Sequence, residues 1–388
     1  MNVSTTTYTL YWEDIKEIVV PTPLEWGLCV LYVMVFIFAI VGNVLVCYAV
    51  RSHPNMHTVT NYFILNLSIG DIMVTLFCLP PTFVVDTTQS WFLGDIACKL
   101  IPFLQQVSSS VSAFTLMVIC LDRYYAICQP LKFKSSTTRA KRFIVTIWFS
   151  SILLCLPYIY VYRCQMHDLL KPFPELHVYL KFCAEDWFDI YIFKGKDIKI
   201  VYRMLLIVLT YIVPMFCIAI IYCIIANALW RNEISGFAGA QQSQSKSSKA
   251  AAAENLLKQR RNVAKMLILV AICFAVCFMP MYTLNVIREL DMMHLMDPQT
   301  YANLMTLSHW LSYVNSALNP IIYNFTSAKF RAQFKTALMC CGKETKSKVR
   351  RHYQTTIVTE SVRYDVDKIN SNGPKSTNIH FNKNLSKA

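Results

Sequence analysis

Charge and glycine are scarce in this sequence. Only 15% of its 388 residues are charged and nine are glycine, while 55% are hydrophobic. With a positive mean hydropathy, that composition excludes an ordinary water-soluble domain. Met1–Pro23 lacks the basic start and apolar centre of a cleavable signal, so the first apolar run is expected to act as its own insertion signal. Nor is there an internal repeat, a phosphate-binding loop, a nucleophile–base set or a metal-ligand spacing. Neither an enzyme nor a cofactor is expected.

What is present is apolar length. Seven segments, roughly Leu24–Val50, Asn61–Val85, Cys98–Ile127, Phe143–Val161, Tyr202–Ala226, Val263–Ile287 and Tyr301–Phe325, each hold a mainly apolar run. At ~1.5 Å per residue each can cross a ~30 Å hydrocarbon layer as a helix. Helices are required, because lipid offers no partner to an open backbone group and the runs are too long for barrel strands. A transporter would show paired halves, and the missing repeat and odd span number weigh against one.

Basic residues set the orientation. Arg51, Lys132, Lys134, Arg139, Lys141, Arg142, Arg231, Lys258, Arg260, Arg261, Lys329, Arg331 and Lys335 fall on one side, which is therefore cytoplasmic and leaves the N-terminus outside. The net charge of +14 is mostly this asymmetry plus a basic tail. It points to anionic lipid headgroups rather than nucleic acid.

The fold class expected is an all-α membrane protein, a seven-helix bundle over residues 24–325. An outer segment, 1–23, precedes it and carries a glycan acceptor at Asn2. In "SAKFRAQFKTALMCC" Phe330, Phe334 and Leu338 recur at four-residue spacing beside basic residues, which predicts an amphipathic surface helix over 326–341. Cys340 and Cys341 at its end are candidates for acylation. Residues 342–388 are polar and unpatterned and are expected to be disordered, as is the linker "SGFAGAQQSQSKSSK" between spans five and six. Of fifteen cysteines only Cys98, Cys164 and Cys183 face the oxidising side, so at most one bridge forms among them.

Some residues are costly where they stand. Asp71 lies about ten residues into span two, where a carboxylate needs partners or water. Asn43, Asn315, Ser316 and Asn319 could supply them, and a hydrated cation site at Asp71, for sodium, is the favoured reading. Pro157, Pro214, Pro280 and Pro320 each break a span, which suits a bundle that changes shape.

In order along the chain, "GN" at 42–43, "NLSIGD", Cys98, "DRYYAIC", Trp148, Pro214 with Tyr222, "CFMP" and "NPIIY" resemble the rhodopsin-like G-protein-coupled receptors. A narrower resemblance, from about Leu10 to Cys341, is to the orexin receptors and the invertebrate allatotropin receptors. It is carried by "NMHTVTNYFILNLSIGDIMVT", "VVDTTQSWFLGDIACKLIPFLQQVS", "CAEDWF", "TLSHWLSYVNSALNPIIYNF" and "SAKFRAQFKTAL". It implies a plasma-membrane receptor for an amidated neuropeptide, coupled to a heterotrimeric G protein and regulated by arrestin, with a Cys98–Cys183 bridge. It implies an activation switch of Asp122, Arg123 and Tyr124 with Asp71, Tyr222, Phe278, Pro280, Asn319, Pro320 and Tyr323. Ligand contacts carry over to Gln105, Gln106, Asn285, His309, Tyr313, Thr82 and Asp86, with Glu185 and Asp186 attracting a basic peptide. An amine receptor would carry a carboxylate where Gln105 stands. Two residues depart from the orexin pattern: Tyr158 replaces Gln, and Phe278 replaces Tyr.

Overall fold

The computed structural model describes residues 23–88, 90–129, 136–166, 181–187, 195–240 and 248–339. Asn2, Cys340, Cys341 and the tail lie outside them. Met1–Phe334 belongs to one compact unit; of the second, Lys335–Ala388, only the helix end at 335–339 is described.

Six of the seven spans meet the length and hydropathy of a membrane-crossing helix among the described residues. The seventh, α10 (Pro298–Thr326), is long enough and holds no Asp, Glu, Lys or Arg, but its hydropathy falls short. The reason is its inward face: Ser308, Ser312, Asn315, Ser316 and Asn319 are all buried. The helices turn large apolar side chains outward instead. Val30, Phe38, Val145, Phe149, Val201 and Phe216 are each more than half exposed, as lipid-facing residues must be.

The first span is α1 (Pro23–Ser52). Span two is two pieces, α2 (Val59–Phe77) and α3 (Leu79–Thr88), broken at Cys78. Pro80 and Pro81 follow at once, and each withholds the N–H that a continuous helix would give the carbonyl four residues back. Span three is α4 (Gly94–Cys128), the longest of the apolar spans; it packs on most of the others. Span four divides at Pro157 into α5 (Thr137–Cys155) and α6 (Pro157–Val161). In span five, α7 (Gly195–Ile207) and α8 (Val213–Ala240) flank a π turn, Val208–Ile212. The wide turn comes just before Pro214, whose ring would strike the Thr210 carbonyl of a regular helix. α8 runs on through Ala240, so the first part of the expected linker is helical: no proline stops the helix there.

α9 (Ser248–Glu289) reaches well beyond the membrane, as its alanine-rich start predicts, and α11 (Ala328–Met339) follows α10. Phe330 and Phe334 of α11 are buried, and Leu338 is 63% exposed. The loop between spans four and five holds a hairpin that no pattern in the sequence announced. β1 (Tyr162–Met166) pairs antiparallel with β2 (Lys181–Glu185).

Two contacts lock the spans together. Trp148 Nε1 donates to Asn66 Oδ1 at 2.8 Å while Asn66 Nδ2 donates to Thr115 Oγ1 at 2.9 Å, joining α5, α2 and α4. Gly42 lies against Pro320 so closely that a β-carbon there would stand 2.7 Å from the Pro320 Cβ. Only a residue with no side chain admits this approach of α1 and α10.

Candidate functional site

At the end of the bundle under the hairpin is a cavity of about 480 Å³ that reaches inward as far as Asp71. Thr82, Asp86, Gln105, Gln106, Glu185, Asn285, His309 and Tyr313 all line it; Asp186 does not.

One wall comes from α1, α3 and α10. The buried Asp86 accepts from Tyr32 Oη at 2.7 Å and meets His309 Nδ1 at 3.0 Å. That contact requires the proton of His309 on Nδ1, whether the ring is neutral or charged. Thr82 Oγ1 and Tyr313 Oη share a 2.8 Å bond beside them.

The opposite wall is organised by Arg203, which neither motif nor resemblance singles out. Arg203 of α7 pairs with Glu185 of β2, and its Nη1 donates to Tyr158 Oη at 3.1 Å. Glu185 also accepts from Tyr162 Oη at 2.8 Å and Trp187 Nε1 at 2.9 Å. Burial pushes Tyr162 up to about 12, so its hydroxyl stays protonated and donating at neutral pH. Glu185 lines the cavity, yet Arg203 already balances its charge. The same network accounts for Tyr158: its ring lies 5.5 Å from the Arg203 guanidinium, and its oxygen accepts from it. The available signal was a charge inside the apolar run that begins at Tyr202, the kind of cost that marks Asp71. Nearby, Lys199 meets Glu289 at 3.3 Å, and Arg288 Nη2 donates to Asn285 Oδ1 at 2.9 Å. Asn285, which lines the cavity, thus has one lone pair of its oxygen engaged by Arg288.

Phe278 and Tyr282 also line the cavity, the latter hydroxyl 3.4 Å from Ser109 Oγ and 3.3 Å from Thr210 Oγ1. At its inner end Asn319 Nδ2 donates to Asp71 Oδ2 at 2.9 Å, and Asn43 Nδ2 donates to the Ser316 carbonyl at 2.9 Å. Ser68 Oγ, Asn315 Oδ1 and Asn319 Oδ1 are buried with no partner among the described residues. At the far end Arg123 contacts its neighbour Asp122, and Tyr124 Oη accepts from Gln129 at 3.1 Å. Tyr222 and Tyr323 belong to the same buried core, and the Tyr323 ring stacks on Phe330 at 5.5 Å. Pro280 and Pro320 lie within α9 and α10 without ending either helix. The expected Cys98–Cys183 bridge is formed, and Cys164 is free.

Relatives agree with this architecture. The chain is 32% identical over 314 residues to a QRFP-like peptide receptor of Branchiostoma floridae, covering 80% of this chain and 77% of the relative. It is 30% identical over 325 residues to neuropeptide FF receptor 2 of Rattus norvegicus, covering 81% and 73%. Residues 42–323 match the 7 transmembrane receptor (rhodopsin family) model. The chain therefore belongs to the rhodopsin family of seven-transmembrane receptors, which signal rather than catalyse.

Proposed function

We propose that this receptor binds an amidated neuropeptide of the orexin or allatotropin kind at the plasma membrane, with its N-terminus outside, and activates a heterotrimeric G protein. The observation that carries the reading is the α4 wall. It offers Gln105 and Gln106 to the cavity, while the α4 carboxylates Asp95 and Asp122 stand near the helix ends and do not line it. A monoamine would find no anion on α4; peptide carbonyls and amides find matching donors and acceptors. The names of the two relatives favour a second reading within the same class, a peptide related to QRFP or neuropeptide FF.

A calcium and cyclic-AMP screen of the expressed receptor tests this. Amidated peptides of all four kinds should be compared with their free acids and with monoamines. Response to an amidated peptide, weaker for its free acid, is expected; a response to monoamines alone would overturn the proposal. Against the active peptide, Gln105→Ala or Asn285→Ala should each cost roughly 1–3 kcal/mol, about ten-fold or more in potency, at matched surface levels.

The inner residues complete the proposal. Asp122, Arg123 and Tyr124, with Tyr222, Phe278, Pro280, Pro320 and Tyr323, form the switch that opens a cleft for the G protein. The unpartnered oxygens of Ser68, Asn315 and Asn319 around the Asp71 carboxylate suit a sodium ion, which these residues would hold. Asn2 glycosylation, acylation of Cys340 and Cys341, and arrestin recruitment through the phosphorylated tail belong to the same reading. For the tail, truncation after Cys341 should abolish arrestin recruitment while leaving the calcium response; intact recruitment would remove the tail from the proposal.

A further inference from the structure

Cys164 stands directly opposite Cys183 in the hairpin register. What kind of pair they form follows from the backbone. Asp186 N donates to the Val161 carbonyl at 2.8 Å, which makes 161 and 186, one step beyond the register, a hydrogen-bonded pair. Bonded and non-bonded pairs alternate along an antiparallel ladder, so Arg163 and Ala184 are bonded and Cys164 and Cys183 are not. Two further contacts agree with that assignment. The Cys164 N–H points away from β2 and donates to Asp95 Oδ1 at 3.1 Å, and the Lys181 carbonyl, at a site of the same type, points outward to Trp91 N at 2.6 Å.

Residues of a non-bonded pair carry their side chains on one face, with α-carbons about 4.5 Å apart. That lies within the roughly 4.4–6.8 Å that a disulfide spans. Cys98, the present partner, has its α-carbon 5.6 Å from that of Cys183. Cys183 thus has two cysteines within bridging reach, on the face that packs against α4. One of them, Cys164, is free and partly exposed.

We infer that Cys164, Cys183 and Cys98 form a thiol–disulfide exchange site in which the bridge over the ligand cavity passes between two partners. The Cys164 thiolate attacks the Cys183 sulfur. A Cys164–Cys183 bond forms as the Cys183–Cys98 bond breaks, the electron pair leaves on the Cys98 sulfur, and that sulfur takes up the proton Cys164 gave up. No external oxidant or reductant is consumed. The cross-link of sequence separation 85 becomes a local staple within the hairpin, and the covalent tie between the cavity roof and α4 is released. In that state the roof is held by Arg203 on Glu185 and by Asp95 on the Cys164 amide.

The test does not depend on the identity of the peptide. Membranes carrying the full-length receptor are treated with limiting reduced glutathione to catalyse exchange, quenched in acid, denatured, alkylated and digested without reduction. Mass spectrometry should find the Cys164–Cys183 cross-linked peptide beside the Cys98–Cys183 one, with Cys98 alkylated in step. In Cys164→Ser the Cys98 alkylation should fall to the background of untreated membranes. As a second arm, Cys98→Ser should yield the Cys164–Cys183 bridge outright. A sole Cys98–Cys183 bridge, with Cys98 alkylated equally in wild type and Cys164→Ser, would overturn the inference, as would two free thiols in Cys98→Ser.

Discussion

Arg203→Ala is expected to destabilise the receptor more than any other single change around the cavity. The substitution leaves the Glu185 carboxylate, almost fully buried, with Tyr162 and Trp187 as its hydrogen-bond donors among the described residues. Removing one partner of a buried ion pair costs about 3–5 kcal/mol, because the remaining charge has lost its compensation. The melting midpoint of the detergent-solubilised receptor should fall steeply, with surface expression falling alongside it. Glu185→Leu alone should also be harmful, since it strands the guanidinium. The double variant Arg203→Met with Glu185→Leu should recover most of the loss, as apolar replacements of buried pairs generally do. If the two single losses simply added in the double variant, the pair would not be coupled. Because Tyr158 leans on the same guanidinium, Tyr158→Phe should cost much less than either charge removal.

The second large effect is expected at Gly42. An added methyl would stand 2.7 and 2.8 Å from the Pro320 Cβ and Cγ, and a proline ring has no rotamer with which to yield. Gly42→Ala must therefore push α1 and α10 apart, at about 1–3 kcal/mol for overpacking, and Gly42→Val by more. Gly27 is the internal control: it lies on the same helix, and a methyl added there would meet nothing within 4 Å, so Gly27→Ala should be near neutral. Thermal midpoints of the two alanine variants decide the matter. Equal midpoints would mean that α1 and α10 separate at no cost.

The spans were legible because burial in lipid imposes length and apolarity on every one of them, and those properties survive without knowledge of the neighbours. The proline breaks were partly legible. Pro157 divides span four as expected, but an apolar window over Asn61–Val85 hides the interruption that Pro80 and Pro81 impose at Cys78. At Pro214 the sequence announces a defect without saying that a π turn will absorb it. The cavity wall around Asp86, Gln105, Asn285 and His309 was reached through resemblance, which transfers positions and not partners. Arg203 and Glu185 are eighteen residues apart in a loop-and-helix arrangement, and nothing local pairs them. The hairpin was illegible for a related reason: its register follows from the Cys98–Cys183 tie and the docking of β1 on α4, both long-range.

The polar inward face of α10 has a consequence for how the protein is made. A segment so rich in serine and asparagine gains little by leaving the translocation channel for lipid on its own: Ser308 and Ser312 donate to carbonyls of their own helix, but the Asn319 amide would enter hydrocarbon without its partner on α2. Its partners are on helices synthesised earlier: Asp71 of α2 receives Asn319, and Asn43 of α1 donates to the Ser316 carbonyl. The last span is thus held in the membrane more firmly once the preceding helices have gathered to receive it, and insertion and folding are expected to be coupled at this end of the chain. A defect in α1 or α2 would be felt first in the nascent protein, as a seventh helix left behind in the channel.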